Sequence, residues 1–268
     1  MFGSRTTLPE DLLLLCLDPR SLRVRRPPYF GYALAGAVLS ELRLARAIDV
    51  RGGAGPGGPG TARTAEVIPL PALAGGAGAG AKDGPGPSHP GLDAALDWLT
   101  LSAPASRTPS TPGGLPLPLC LRRIARNAAG PFLDSLVEQG ALQVDQHRVF
   151  GLIPRTSYRA ESALGHQQRA ARIDAVLRAL PPVERLSEGA SLSAIARSRS
   201  LDPRELRLCA LAAAADLHHR LYPGREQRDQ RRLLETLAER DFLSTAVRAL
   251  HEADQTAATS AAATAVST

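Results

Sequence analysis

Pro203-Arg-Glu-Leu-Arg-Leu-Cys-Ala-Leu-Ala-Ala-Ala-Ala-Asp-Leu217 is the stretch whose reading decides the fold. From Leu206 to Leu217 apolar residues point in nearly every direction around a helix, as befits a helix packed on all sides. Asp216, near its end, reads as a hydrogen-bonded core acid. Working outward, helical spacing recurs over 161–180, 191–199, 203–221, 225–239 and 241–252. Upstream, Leu8-Pro-Glu-Asp-Leu-Leu-Leu-Leu-Cys-Leu17 predicts a short buried helix. Pro9 sits in its first turn, and Glu10 and Asp11 suit its positive end. Leu34, Val38, Leu39, Leu42 and Ala45 make one apolar stripe over 31–46. Asp93–Leu101 predicts a short helix, and 119–139 a longer one broken near Gly130-Pro131.

Strand signals are few. Ile48–Val50 and Glu66–Leu70 flank a glycine-rich loop and predict a short hairpin. Gly140 is a helix C-cap. After it, Leu142 and Val144 stand on one side of the polar run Asp145-Gln-His-Arg148, with Val149, Phe150, Leu152 and Ile153 on the other, which predicts a hairpin over 141–153 with a polar tip. Residues 51–90 hold 12 of the 24 glycines and read as a flexible insertion. Residues 102–118 read as a Pro-rich linker, and 253–268, mostly Ala, Thr and Ser, as a disordered tail. The predicted class is mainly α: a single globular helical-bundle domain over residues 1–252, with a projecting β-hairpin and a second short hairpin.

Composition narrows the function. No apolar run is long enough to span a bilayer, and Met1–Leu13 lacks the layout of a secretory signal, so a cytoplasmic protein is expected. Cys16, Cys120 and Cys209 lie far apart in apolar stretches, as buried thiols in a reducing compartment do. The chain has 268 residues, 32 basic against 26 acidic, and a net charge of +6. That charge favours an anionic partner. Lys82 is the one lysine, so almost all of the positive charge is guanidinium.

No catalytic constellation stands out. His89 falls in a Gly/Pro linker and His147 at the hairpin tip, and His218-His219 face different directions on a helix. The sequence predicts no enzyme, no metal site and no cofactor. Two basic groups read as phosphate-binding. One is the loop of Arg20, Arg23, Arg25 and Arg26, just before Tyr29 and Phe30. The other is Arg122, Arg123 and Arg126, whose spacing puts Arg122 and Arg126 on one helix face. Val149 and Phe150, near the hairpin tip, suit insertion into a membrane interface. A helix followed by a hairpin also fits a winged-helix DNA-binding domain. The Pro-rich residues ahead of Arg122 take the place of that motif's preceding helix, which weighs against nucleic acid as partner.

Several segments, in order, resemble the Golgi phosphoprotein 3 family, and a bacterial member of it: Leu8–Asp18, Leu39-Ser-Glu-Leu-Arg-Leu-Ala-Arg46, Leu92-Asp-Ala-Ala-Leu96, Leu136-Val-Glu-Gln-Gly-Ala-Leu142 with its hairpin, Asp202-Pro-Arg204 and Ala238-Glu-Arg-Asp-Phe242. The resemblance implies a helical domain without catalytic activity that binds phosphatidylinositol 4-phosphate. It places one pocket arginine at Arg126. The other two fall at Ala129 and Ala35, and the pocket tryptophan falls near Arg26, so the site is only partly retained. Val149 and Phe150 match the family's membrane-inserting pair. So few residues precede Leu8 that recruitment of vesicle coats is not expected.

The expected function is thus a non-catalytic, peripherally attached protein on the inner face of a membrane. Arg126, Arg122, Arg23, Arg25 and Arg26 would hold anionic phospholipid headgroups, while Val149 and Phe150 insert. The alternative is a protein-interaction module that forms a homo-oligomer through the hairpin 141–153.

Overall fold

The structure, a computed structural model, describes residues 6–52, 64–70, 89–104, 113–149, 153–186 and 190–266. Eleven α-helices and five strands are described. In chain order they are α1 (Leu8–Leu15), α2 (Phe30–Leu44), β1 (Ile48–Arg51), β2 (Glu66–Pro69), α3 (Pro90–Ser102), β3 (Leu115–Pro116), α4 (Leu117–Asn127), α5 (Ala129–Glu138), β4 (Gln143–Val149), β5 (Ile153–Arg159), α6 (Leu164–Ala179), α7 (Leu192–Arg199), α8 (Pro203–Ala214), α9 (His218–Leu221), α10 (Arg228–Arg240) and α11 (Phe242–Val266).

Helix α8 is the axis. Asp202 caps it, accepting from the Arg204 N–H at 2.9 Å, and Pro203 opens its first turn. Every residue from Leu208 to Ala214 is buried. It packs against α1, α2, α6, α7, α10 and α11. Helix α2 is the second hub, touching α1, α3, α4, α8 and α11. Its Gly36 explains how it gets close: a Cβ there would lie 3.0 Å from Val247 Cγ2 on α11 and 3.1 Å from Leu211 Cδ2 on α8. Beside the bundle, β1, β2 and β3 form an antiparallel sheet in that order, with Arg51 opposite Glu66 and Val67 opposite Leu115. Cys16, Cys120 and Cys209 are free and buried.

Four details correct the sequence reading. Helix α8 ends at Ala214 and does not run on to 221. Asp216 takes a left-handed conformation (φ 56°), with Asp216 N bonded to Ala213 O and Leu217 N to Ala212 O. This is a Schellman stop, in which a short polar side chain tolerates positive φ. Asp216 is therefore exposed, and the buried residue is Leu217. The break in 119–139 falls at Ala128, because Pro131 lies in the first turn of α5, where no N–H is missed.

The hairpin is longer and differently centred. β4 and β5 pair from Gln143↔Arg159 to Val149↔Ile153, so Asp145–Arg148 lie in a strand, and residues 150–152 are outside the described residues. A two-stranded ribbon is held by backbone pairing, and polar residues along it cost nothing when both faces are wet. The final helix continues to Val266, past the expected boundary at 252. Alanine is the best helix former, and Thr256 and Thr259 return their hydroxyls to the carbonyls of Glu252 and Gln255. Most of 51–90, and 105–112 of the linker, lie outside the described residues.

Gly36→Val should lower stability by about 1–3 kcal/mol through overpacking. By contrast, Gly130→Ala, where nothing lies within 4 Å of the new Cβ, should be neutral or mildly stabilising. Chemical denaturation of the two variants tests this contact; a Gly36→Val midpoint equal to wild type would contradict the packing.

Candidate functional site

Tyr29, the residue before α2, is held left-handed at φ 59°. No side chain caps that helix and no acid lies in its first turn, although the Phe30 and Tyr32 N–H groups bond to the carbonyls of Pro27 and Tyr29. Gly31 lets α4 approach this end: a Cβ there would lie 2.9 Å from the carbonyl oxygen of Ala125. The closeness brings the basic face of α4 beside the first turn of α2. Together they line an open cleft of about 560 Å³, walled by Tyr29, Gly31, Tyr32, Arg122, Ala125, Arg126 and Asp254.

The cleft's charges are two guanidiniums and one carboxylate. Asp254, on α11, accepts from the Tyr32 hydroxyl through Oδ2 and from Arg122 Nη2 at 3.2 Å through Oδ1. Burial, then the hydrogen bond and charge of Asp254, raise the Tyr32 phenol above its ordinary value, so it stays a proton donor. Arg126 is exposed and makes no ion pair with a described residue. One turn before Asp254, the His251 ring lies 4.6 Å from that of Tyr29.

Of the residues singled out in the sequence, Arg122 and Arg126 come together here. The loop arginines do not line the cleft. Arg23 Nη2 meets Asp145 Oδ2 on β4 at 2.9 Å, and Arg25 Nε meets Asp18 Oδ2 at 3.3 Å. Arg26 is exposed, three residues before Tyr29. The loop adds itself to the hairpin, Val24 N donating to Tyr158 O and Ala160 N to Leu22 O. Val149 pairs through its backbone with Ile153, while Phe150 lies outside the described residues. Ala35 is buried in the core, and Ala129 is half-buried on α5.

Sequence reasoning missed Tyr32, Gly31 and Asp254. A tyrosine one helical turn after Tyr29 was a usable signal for the first. Asp254 had none, lying in a stretch with the composition of a tail.

It also misread α1. Asp11 is fully buried, and its carboxylate meets Arg169 Nε at 3.0 Å, Arg172 Nη1 at 3.3 Å and Arg204 Nη1 at 3.3 Å. Glu10, likewise buried, accepts from the Thr7 N–H at 2.7 Å, the Thr7 hydroxyl at 2.9 Å, the Ser135 hydroxyl at 2.8 Å and Gln139 Nε2 at 2.8 Å. His89, read as a linker residue, is a buried N-cap stacked on Phe132 at 4.3 Å. Its Nδ1 accepts from the Gly91 N–H, so Nε2 carries the proton. Nε2 faces Glu10 Oε1 at 3.5 Å, an electrostatic contact longer than a good hydrogen bond.

Among the described residues, no helix is long and apolar enough to cross a membrane. The described chain is thus a helical bundle with an open cleft, lined by Arg122, Arg126 and Asp254, at the start of one helix, and with a two-stranded hairpin. The chain belongs to the Golgi phosphoprotein 3 (GPP34) family, whose model matches residues 8–253. That family consists of non-catalytic, peripheral membrane adaptors and is known to bind phosphatidylinositol 4-phosphate at Golgi membranes. Comparison with individual curated proteins finds no match.

Burial by itself would push the Glu10 carboxyl up, but the His89 contact and the hydrogen bonds from Thr7 and Ser135 outweigh it and hold the pKa at about 2, against an ordinary 4.5. A lowered folded-state pKa gives stability that is present above the ordinary value and lost as the pH falls. The melting temperature of wild type should therefore fall as the pH drops from about 4.5 to about 2. Glu10→Gln should be less stable at neutral pH and show a shallower fall across that window. An unchanged slope would mean that other carboxylates carry the acid transition.

Proposed function

We propose that the protein is a non-catalytic peripheral membrane protein that binds anionic phospholipid headgroups in the cleft between α2 and α4. The observation that carries this reading is the convergence of Arg122 and Arg126 on the uncapped first turn of α2. Guanidiniums favour phosphate oxygens, and the positive end of a helix without a first-turn acid adds to the attraction. Family membership supports the same class of ligand. The phosphatidylinositol 4-phosphate site is retained in part, with Arg126 in common and Tyr29 and Tyr32 as the aromatic wall.

Attachment uses more than the cleft. Arg23, Arg25 and Arg26 sit on the loop paired to β5 and add attraction for an anionic leaflet, at about 1 kcal/mol for each unpaired arginine near the surface. Arg23 and Arg25 are already paired, so Arg26 contributes most. Val149 and Phe150, at the end of the hairpin, enter the interface. The inner, cytoplasmic face of a membrane, rich in anionic lipid, is the surface this charge pattern fits; the arginine-dominated basic set fits a GC-rich bacterial coding sequence.

Co-sedimentation with phosphatidylcholine vesicles, alone or carrying phosphatidylglycerol or phosphatidylinositol 4-phosphate, tests the reading. Wild type should pellet with both anionic vesicles, less at high salt, and leave neutral ones in the supernatant. Arg126→Glu should weaken anionic binding by roughly thirtyfold at an unchanged melting temperature, a charge reversal being worth about twice one arginine. Phe150→Asp should do likewise. Equal pelleting of Arg126→Glu and wild type would sink the cleft. A changed size-exclusion mass for Phe150→Asp with lipid binding intact would instead make the hairpin an oligomer contact.

A further inference from the structure

We propose that Asp254 is a built-in competitor for the cleft: its carboxylate occupies the place of an anionic ligand, and α11 must give it up before Arg122 can bind phosphate. This rests on the cleft being a headgroup site.

Two donors from two different helices converge on this one carboxylate. The Tyr32 hydroxyl of α2 takes Oδ2, and Arg122 Nη2 of α4 takes Oδ1. A phosphate monoester entering the cleft would seek those same donors, since it too presents anionic oxygens to hydroxyl and guanidinium groups. With Asp254 in place, Arg126 is the one guanidinium of the cleft without an ion pair among the described residues. Asp254 also sets a negative charge against any incoming anion.

The contact is made to be exchanged. The Arg122 and Asp254 side chains are 49% and 33% exposed, so water competes for both partners and the pair is weak. Along 251–260, His251 and Asp254 are the half-buried residues and all the others are exposed. This length of α11 is thus fastened to the cleft wall at two points, His251 against Tyr29 and Asp254 against Tyr32 and Arg122. Nothing in the core has to repack for it to lift. Asp254 also lies one residue beyond the span matched by the family model.

A self-ligand lowers apparent affinity in proportion to how much of the time it occupies the site. Asp254→Asn keeps the size of the side chain and removes its charge. It should bind anionic vesicles about fivefold more tightly than wild type, the ceiling set by an exposed ion pair. Asp254→Glu, which keeps the charge, should stay near wild type. The probes are phosphatidylglycerol vesicles, phosphatidylinositol 4-phosphate vesicles and inorganic phosphate, with melting temperatures taken in parallel to show that each variant is folded. A gain with inorganic phosphate as well as vesicles identifies the phosphate group itself as what Asp254 displaces. A gain confined to vesicles identifies the headgroup in its membrane.

Unchanged or weaker binding by Asp254→Asn would overturn the proposal, weaker binding making Asp254 a positioning residue for Arg122. Arg126→Glu, measured alongside, separates the two readings. If it loses binding while Asp254→Asn gains none, the cleft stands and the competitor falls. If Arg126→Glu binds like wild type, the headgroup site itself fails.

Discussion

The carboxylate of Asp11, without solvent contact inside the bundle, is the constraint on which the arrangement depends. A lone buried charge costs several kcal/mol, and here three guanidiniums offset it, Arg169 and Arg172 from α6 and Arg204 from α8. The Thr6 hydroxyl adds a hydrogen bond at 2.6 Å. Arg172 is shared with Glu205 of α8, at 3.0 Å from Nε to Oε2, and Arg204 with Glu41 of α2, so the network ties α1, α6, α8 and α2 to one another. Apolar packing alone would tolerate small slips among leucine-rich helices. The charge cluster does not, because any slip leaves a buried ion unpaired. It extends to α2, where Glu41 Oε2 accepts from the Leu8 N–H at 2.8 Å and faces Arg204 Nε at 3.4 Å.

Glu10, the neighbour of Asp11, carries the same logic to the other side of the molecule. Its oxygens are shared among Thr7, Ser135 and Gln139, with His89 close by, which ties α1 to α5 and to the start of α3. Two consecutive acids therefore hold the two halves of the bundle to one short helix. Helix α2 runs between those halves. Its N-terminus, with Tyr29 strained into the left-handed region and Gly31 pressed on Ala125, is consequently held still against α4. The walls of the cleft are a helix end and a neighbouring helix face, and the close approach of Gly31 to the Ala125 carbonyl is what joins them.

Much of this was legible wherever apolar periodicity governs. The all-round apolar character of Leu206–Leu217, the stripe of α2 and the Gly140 stop follow from local chemistry, and the bundle follows from them. What escaped depended on partners distant in sequence. Glu10 and Asp11 look like ordinary first-turn acids until Arg169, Arg172 and Arg204 close on them. His89 looks like a linker residue until Phe132 stacks on it. Asp216 inside an apolar run looks buried, yet it is the residue that ends the helix. In the hairpin, the polar run Asp145–Arg148 passes for a turn because alternation with apolar residues is the strand signal, and a ribbon wet on both faces does not need it. For the site, the i, i+4 pair Arg122 and Arg126 was readable as one face, whereas Asp254 needed the fold.

The overall charge is a poor guide to where the molecule is attractive to anions. A net +6 is spread over a chain in which Arg169, Arg172 and Arg204 are committed to buried acids, Arg23 and Arg25 to Asp145 and Asp18, and Arg122 to Asp254. The cleft itself holds two guanidiniums against one carboxylate, a small excess that cannot by itself outbid water and salt for a phosphate. Under the proposed function, affinity would be assembled from several weak contacts at once: the cleft, the exposed Arg26, and the hairpin, whose base the loop 20–25 braces. Contacts of that kind add only when they face one plane. The backbone bonds from Val24 to Tyr158 and from Ala160 to Leu22 are what tie the arginine loop to the hairpin, and Tyr29 follows that loop directly into the cleft. In the proposed membrane role, it is this coupling of loop, hairpin and cleft, more than any single arginine, through which weak charges would act together.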